Sequence, residues 1–240
     1  MSLIPMQPPK SALVIAAHPD DVDFGLAGTV ALWRSLGVPV AYCVITDGDA
    51  GGFDRSINRS AIPKIRRTEQ LAAARAVGVE TVEFLGYHDG SLTVSMDLRR
   101  DLSAMIRRYQ PERVMCQSPV RNFTRIGTSH PDHLAAGEAS LQAVYPDARN
   151  PFAHPELLES GLEPHTVLEV AMSAYPEPTH YVDVTEQIDA KLAAILSHES
   201  QLPDPAQTKE AVKGWLSLAA GAAGLGDGLF AELFYLVQTG

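Results

Sequence analysis

The sequence predicts an open α/β fold with a mostly parallel sheet, helices on both of its faces and a C-terminal extension. Over the first two thirds of the 240 residues, short β-rich runs alternate with longer helical patterns, which is typical of crossover units around a parallel sheet. The first run, residues 11–16 (SALVIA), is almost entirely apolar, as expected of a strand that is covered on both faces. We therefore expect a Rossmann-like arrangement.

The predicted elements follow one another in regular order. Strands are expected at residues 11–16, 39–46, 81–85 and 113–117, and helices at residues 26–36, 64–77, 96–109 and 131–145. Gly37 and Gly78 stand where glycine commonly follows a helix, and Pro131 stands where the first helical turn accepts proline. The extension contains apolar runs at residues 166–171 and 181–184 and helices at residues 188–198 and 209–220.

Composition limits the class of protein. With 45% hydrophobic residues, the chain can bury one large core, and we expect residues 1–240 to form one domain. Nineteen basic against 29 acidic side chains give a net charge of −10, which disfavours nucleic acid and anionic lipid as partners. No apolar run approaches the roughly 18 residues of a membrane span, and the first ten residues do not resemble a signal peptide. We expect a cytoplasmic protein.

The two cysteines fit that compartment. Cys43 and Cys116 each lie inside an apolar run that reads as a strand. A small buried thiol is the ordinary interpretation of such a position, and no disulfide is expected.

Two similar polar clusters follow predicted strands. Ala17-His18-Pro19-Asp20-Asp21 comes directly after the first strand, and Ser129-His130-Pro131-Asp132-His133 ends the loop after the fourth. Because ligands of open parallel sheets bind beyond the carboxyl ends of the strands, the two clusters are expected to converge there. One His-Pro-Asp segment alone is typical of a turn and helix cap. Two copies, with three histidines and three aspartates, favour a metal site.

The side-chain types favour a catalytic metal. Two imidazoles and one carboxylate, with a position left for water, are typical of catalytic zinc, whereas structural zinc normally takes four protein ligands. Zinc lowers the pKa of bound water to roughly 7 and polarises a carbonyl, as cleavage of an unactivated amide requires. A further carboxylate beside the ligands could act as the base. The same ligand types bind Fe2+ in oxygenases, so the ion stays open between Zn2+ and Fe2+.

Together with four shorter segments, the clusters resemble the LmbE-like, or PIG-L, family of zinc-dependent N-acetylglucosaminyl deacetylases. These segments are residues 45–48 (ITDG), 66–69 (RRTE), 85–90 (LGYHDG) and 198–201 (HESQ). The resemblance spans most of the chain. It implies a hydrolase that removes an acetyl group from an N-acetylated amino-sugar conjugate of the N-acetylglucosamine type. Members are often oligomeric, so a homo-oligomer is a candidate state, with residues 145–164 as a candidate contact or lid.

The resemblance also implies roles for individual residues. The ligands of one Zn2+ would be His18, Asp21 and His133. The catalytic groups would be Asp20 as the general base, His130 as the cation beside the oxyanion, and Asp132 as the residue that orients His130. The candidate substrate contacts are Arg66, Asp89 and Asn122. A surface salt bridge, an Asp-Gly turn and a loop cap are the respective structural alternatives for these three.

The sequence departs from the family pattern at two positions. Val22 stands where an acidic residue usually follows the aspartate pair, with Asp23 next, and Thr128 stands where some sugar deacetylases carry tyrosine. These differences leave oxyanion donation and substrate range open. His198 could close over the active site, although interaction with the terminal carbonyls of its own helix is the simpler interpretation.

Three other functions compete with this one. An Fe(II) oxygenase would use the same ligands, but it does not need the additional Asp20 and His130. A nucleotide-binding module is disfavoured because Gly25 and Gly28 come too late after the first strand for a dinucleotide motif. A non-catalytic sugar-binding relative would not need the full cluster.

Overall fold

The computed structural model describes residues 2–240. Its strands are β1 (Ile4–Pro5), β2 (Ala12–Ala16), β3 (Val40–Thr46), β4 (Thr81–Tyr87), β5 (Arg113–Gln117), β6 (Glu169–Ser173), β7 (His180–Asp183) and β8 (Ala231–Gln238). Its α-helices are α1 (Asp21–Ser35), α2 (Ile62–Ala76), α3 (Met96–Tyr109), α4 (Pro131–Gln142), α5 (Pro155–Glu159), α6 (Ile188–Leu196) and α7 (Pro205–Ala222). Short 3-10 turns precede α2, α4 and α6.

All eight strands belong to one sheet, in the order β1-β7-β8-β6-β5-β2-β3-β4. Every neighbouring pair is parallel except those of β8, which runs antiparallel to both β6 and β7. The predicted α/β class is confirmed. From β2 the chain builds outward through β3 and β4, and it then returns to place β5 on the other side of β2. The strand order therefore reverses between β2 and β5, which is where open α/β sheets bind ligands.

The central strand β2 divides the interior into two cores because its side chains alternate between the faces. Val14 packs into a core with residues of α1, α2, α6 and α7. Leu13 and Ile15 pack into a second core with residues of α3 and α4. Both faces of β2 are buried, which explains its continuous apolar sequence.

The predicted start of the first helix was wrong. Helix α1 begins at Asp21, five residues before the predicted start at Leu26. Acidic side chains in a first turn interact favourably with the positive end of the helix dipole, and Asp21 and Asp23 lie in that turn. The predicted C-terminal extension contributes β6, β7 and β8 to the sheet, and β8, which the sequence did not predict, inserts between β6 and β7.

Cys43 and Cys116 are buried free thiols, as predicted. The segment after α4 is held by Arg107, a buried residue that donates hydrogen bonds to the carbonyls of Asp147, Ala148 and Asn150. A homo-oligomer that uses this segment stays a prediction. Within residues 2–240, no helix combines the length and the apolar character that a membrane span needs.

Candidate metal centre

The two polar clusters meet where the strand order reverses, between β2 and β5, as their places after these strands predict. His18 follows β2 by two residues, and Pro131 begins α4 behind the loop that follows β5. The ring centroids of His18 and His130 lie 5.0 Å apart, those of His18 and His133 5.2 Å, and those of His130 and His133 5.4 Å. Imidazoles from two segments that are more than 100 residues apart in sequence thus face one small volume.

The three predicted metal ligands have the spacing of groups that share one ion. His18 Nδ1 lies 3.1 Å from Asp21 Oδ2, and Asp21 Oδ1 lies 3.0 Å from His133 Nε2. The two ring nitrogens, His18 Nδ1 and His133 Nε2, are 3.3 Å apart. Ligands at bond lengths of about 2.0–2.2 Å around a tetrahedral ion are separated by roughly 3.3 Å. The donor set therefore fits a divalent metal.

The other nitrogen of each ligand histidine faces an oxygen acceptor. His18 Nε2 lies 3.2 Å from Asp132 Oδ2 and 3.2 Å from Asp89 Oδ1, and His133 Nδ1 lies 3.3 Å from the carbonyl of Thr128. Because these oxygens only accept hydrogen bonds, a neutral ring that binds a metal through His18 Nδ1 or His133 Nε2 can keep its proton on the facing nitrogen. Such partners are usual behind metal-binding histidines.

Two other groupings of ligand-type atoms lie within 4.8 Å of one another, namely His18 with His130 and His133, and His18 with Asp89 and Asp132. In the second grouping the carboxylates face His18 Nε2, on the side of the ring opposite to Asp21. The fully buried Asp132 also accepts hydrogen bonds from two main-chain amides. We therefore assign Asp132 to holding His18 rather than to the metal.

This placement corrects the predicted role of Asp132. Its carboxylate accepts from the amides of Gly90 at 2.7 Å and Leu92 at 3.2 Å, and it faces His18 rather than His130. Its contact with His130 is through the main chain, because the amide of Asp132 donates to His130 Nδ1 at 3.2 Å. His130 thus caps α4, and it would have to give up this bond to become a cation.

Buried carboxylates in the centre stabilise positive charge there. Burial alone would lower the pKa of His18, but Asp21 and then Asp89 raise it to about 11. Burial would raise the pKa of Asp21, but His133 and His18 hold it well below its usual range. Burial raises the pKa of Asp20 to about 6 against the opposing charge of Arg66. A cation placed among these groups would take over the role of the protons.

Arg66 lies beside the predicted base. Its side chain is only 4% exposed, and Nη2 lies 3.0 Å from Asp20 Oδ2 and also donates to the carbonyl of Pro19. The alternative of a surface salt bridge was therefore wrong. A Cβ atom at Gly48 or Gly51 would lie 2.5 or 2.4 Å from Nη1, so a side chain at either position would displace the guanidinium.

The remaining substrate candidates, Asp89 and Asn122, differ in whether the side chain lies within the centre. Asp89 forms the expected Asp-Gly turn, with Gly90 at φ +82°, yet its carboxylate also faces His18 and lies 3.8 Å from Arg66 Nη1. Asn122 Oδ1 accepts from the amides of Thr124 and Arg125, as a loop cap does. Asp89 therefore lies within the centre, whereas the oxygen of Asn122 is occupied in organising its own loop.

Sequence reasoning missed two features of the site. Gln70 accepts the main-chain amide of Asp20 at 2.8 Å, and nothing in a helical glutamine indicated this role. His198 was expected at a helix end against terminal carbonyls, but it is fully buried, with Nε2 2.7 Å from Asp23 Oδ2. The acidic Asp23, placed two residues after the predicted metal ligand Asp21, was the available signal.

An open α/β sheet with histidines and carboxylates gathered where its strand order reverses has the architecture of a metal-dependent enzyme. Residues 13–144, more than half of the chain, match the PIG-L family, described as GlcNAc-PI de-N-acetylase. The chain belongs to the PIG-L family, and the predicted class of N-deacetylase, an amide hydrolase, is confirmed.

Individual relatives extend this assignment. A diacetylchitobiose deacetylase of Thermococcus kodakarensis is 30% identical over 200 residues, which cover 83% of this chain and 73% of the relative. The solved structure of the N,N'-diacetylchitobiose deacetylase from Pyrococcus horikoshii superposes with a TM-score of 0.88 at 30% identity, over 96% of this chain and 85% of that chain. A 4-oxalmesaconate hydratase of Pseudomonas putida is 27% identical over 195 residues, or 78% of this chain and 72% of the relative. Similar chains thus include one whose name denotes a different reaction.

Proposed function

We propose that the protein removes the acetyl group from an N-acetylated amino-sugar conjugate of the N-acetylglucosamine type, with one Zn2+ as its cofactor. The spacing of 3.0–3.3 Å among the ligand atoms of His18, Asp21 and His133 carries the proposal. The two deacetylase relatives support the substrate class, since both are named for an N-acetylated disaccharide. A homo-oligomer and a cytoplasmic location stay predictions.

Zinc fits a set of two imidazole nitrogens and a carboxylate. When bound, the ion would polarise the amide carbonyl and lower the pKa of a coordinated water to roughly 7. Fe2+ binds the same ligand types, so metal analysis of the purified protein has to decide between the two ions.

Asp20 is the proposed general base. Its carboxylate is next in sequence to the ligand Asp21, and the Arg66 guanidinium at 3.0 Å favours the ionised form that accepts a proton. A positioned general base typically contributes about 10²–10⁴-fold to the rate. The proton taken from the attacking water would then pass to the leaving amine.

His130 is the proposed donor to the oxyanion of the tetrahedral intermediate. Because its Nδ1 accepts from the amide of Asp132, a neutral ring carries its proton on Nε2, which can donate to substrate. The loss of one such donor typically lowers kcat by about 10²–10³-fold. This role needs no permanent positive charge on the ring.

Among the candidate substrate contacts, the geometry favours Asp89. Its carboxylate lies within the centre and can accept from a sugar hydroxyl, as a carboxylate commonly does. Arg66 is engaged with Asp20 and with main-chain carbonyls, so we propose that it acts mainly on the base. Asn122 would shape the loop beside the pocket.

The test is acetate release from N-acetylglucosamine, diacetylchitobiose and larger N-acetylglucosamine conjugates, by metal-free protein with and without added Zn2+. We expect zinc-dependent release that Asp20→Asn lowers by at least about 10²-fold while the metal content stays the same. The exposed Asp227→Asn is the matched control and should leave release unchanged. Hydration of 4-oxalmesaconate without acetate release from any of these substrates would show that the proposal is wrong.

A further inference from the structure

A buried chain of hydrogen bonds ends on the main chain of Asp20. The amide of Asp20 donates to Gln70 Oε1 at 2.8 Å, and Gln70 Nε2 donates to Asp23 Oδ2 at 2.9 Å. The same Asp23 oxygen lies 2.7 Å from His198 Nε2. Gln70, Asp23 and His198 are all fully buried. Residues of α2, α1 and the turn after α6 are thus linked to the residue beside the metal ligand.

Each bond in this chain has one possible direction. A main-chain amide only donates, so the side-chain oxygen of Gln70 has to face Asp20 and its NH2 group has to face Asp23. The Asp23 carboxylate accepts, so His198 has to carry a proton on Nε2. Flipping the Gln70 amide would break both hydrogen bonds, so only this orientation satisfies its two neighbours.

The backbone of Asp20 needs such support. Its φ of 97° lies in a region that residues with a side chain rarely adopt, and such conformations persist only where the surroundings over-determine them. Both polar groups of the Pro19–Asp20 peptide are held from α2, the carbonyl by Arg66 and the amide by Gln70. These two residues lie four positions apart and so share one helix face.

We propose that Gln70, Asp23 and His198 are positioning residues that hold the Asp20 main chain in its left-handed conformation and thereby aim the carboxylate of the base at the reacting water. The inference rests on the proposed function insofar as Asp20 is the base. None of the three residues touches substrate or metal in this assignment, so their effect is expected on turnover rather than on substrate binding.

The sharpest test compares two substitutions at one position. His198→Gln can place an amide NH near the position of the imidazole Nε2, whereas His198→Leu removes the donor. We expect His198→Leu and Gln70→Met to lower kcat by about 10–100-fold, with KM and metal content within about twofold of wild type, because small misplacements of a reacting group are costly. His198→Gln should retain kcat within about threefold. Arg107 is another buried polar residue, and it lies outside this chain of hydrogen bonds. Arg107→Met therefore controls for lost stability and should leave kcat unchanged in the folded protein.

A second measurement does not depend on activity. The Asp20 amide should exchange slowly with deuterium in wild type and in Arg107→Met, and at least about tenfold faster in Gln70→Met and His198→Leu. The proposal is overturned if kcat falls only as far as the folded fraction falls, if KM or metal content accounts for the loss, or if the Asp20 amide stays protected in both variants. Failure of the wild type to release acetate would instead reject the proposed function, and amide exchange would still decide whether the chain holds Asp20.

Discussion

His18 has a different partner at each ring nitrogen. Nδ1 faces Asp21 and His133, and Nε2 faces the carboxylates of Asp89 and Asp132. Asp132 is itself held by two main-chain amides, so its carboxylate cannot turn away without leaving them unpaired. Carboxylates outside the proposed ligand set therefore help to orient the imidazole.

Asp132→Asn should weaken metal binding by about 10–100-fold, because partners behind a ligand histidine typically have effects of this size. The measurement is competition for Zn2+ with a chromophoric chelator. The exposed Asp97→Asn should bind the metal as wild type does. An unchanged affinity in Asp132→Asn would mean that Asp89 alone can hold His18.

At the scale of elements, helix α4 lies unusually close to the end of β5. A Cβ atom added to Gly137 would lie 2.4 Å from the carbonyl oxygen of Gln117 and 2.8 Å from the nitrogen of Pro119. Both neighbours are main-chain atoms, so the clash cannot be relieved by a side-chain rotation. This close approach places the N-terminus of α4, with His130 and His133, over the sheet edge.

Gly137→Ala should therefore destabilise the protein by about 1–3 kcal/mol, the usual cost of overpacking, despite the higher helix propensity of alanine. Gly214→Ala in α7 has open space around its Cβ and should stabilise by about 0.5–1 kcal/mol. Urea unfolding of both variants provides the comparison. Equal signs for the two changes would contradict the packing of α4 described here.

A buried ion pair in the C-terminal part of the chain holds helix α1 in place. Lys191 Nζ donates to the carbonyls of Asp23 and Phe24 at 2.8 Å each, and it lies 2.7 Å from Glu232 Oε1. Glu232 accepts in turn from the amides of Gly28 and Thr29. Helix α6 and strand β8 thus contact α1 within the two turns that follow the proposed ligand Asp21.

Lys191→Met should destabilise the fold by about 3–5 kcal/mol, because it leaves the Glu232 carboxylate buried without its partner. The exposed Lys209→Met in α7 should change the free energy of unfolding by no more than about 0.5 kcal/mol. Chemical denaturation measures both. A small loss in Lys191→Met would indicate that water replaces the ammonium group.

At the scale of the whole molecule, the metal centre joins two distant parts of the chain. The proposed ligands His18 and His133 are 115 residues apart, and the centre gathers the carboxylates of Asp20, Asp21 and Asp89 at one sheet edge. A divalent ion would neutralise these charges in the folded state, whereas the unfolded chain does not hold the ligands together. Binding of a metal at this site would therefore be coupled to folding.

Added Zn2+ should raise the melting temperature of metal-free protein. At a free concentration of 100 times Kd, the stabilisation is about 2.7 kcal/mol, which corresponds to roughly 5–10 °C for a chain of this size. Differential scanning calorimetry measures the shift, and Asp21→Ala, which lacks one ligand, should lose most of it. An equal shift in the variant would place the stabilising ion at another site.

The sequence by itself determined the α/β class, the crossover order as far as α4 and the pair of His-Pro-Asp clusters that become the metal centre. These features are local or follow from topology, since the strands of a parallel sheet carry their following loops to one edge. The tertiary structure alone decided that β8 enters the sheet, that the Asp132 carboxylate faces His18 instead of His130, and that Gln70 bonds the Asp20 amide while His198 bonds Asp23. Each of these depends on which buried polar group finds which partner across the core. Such pairing follows from the packing of residues distant in sequence, and local patterns do not encode it.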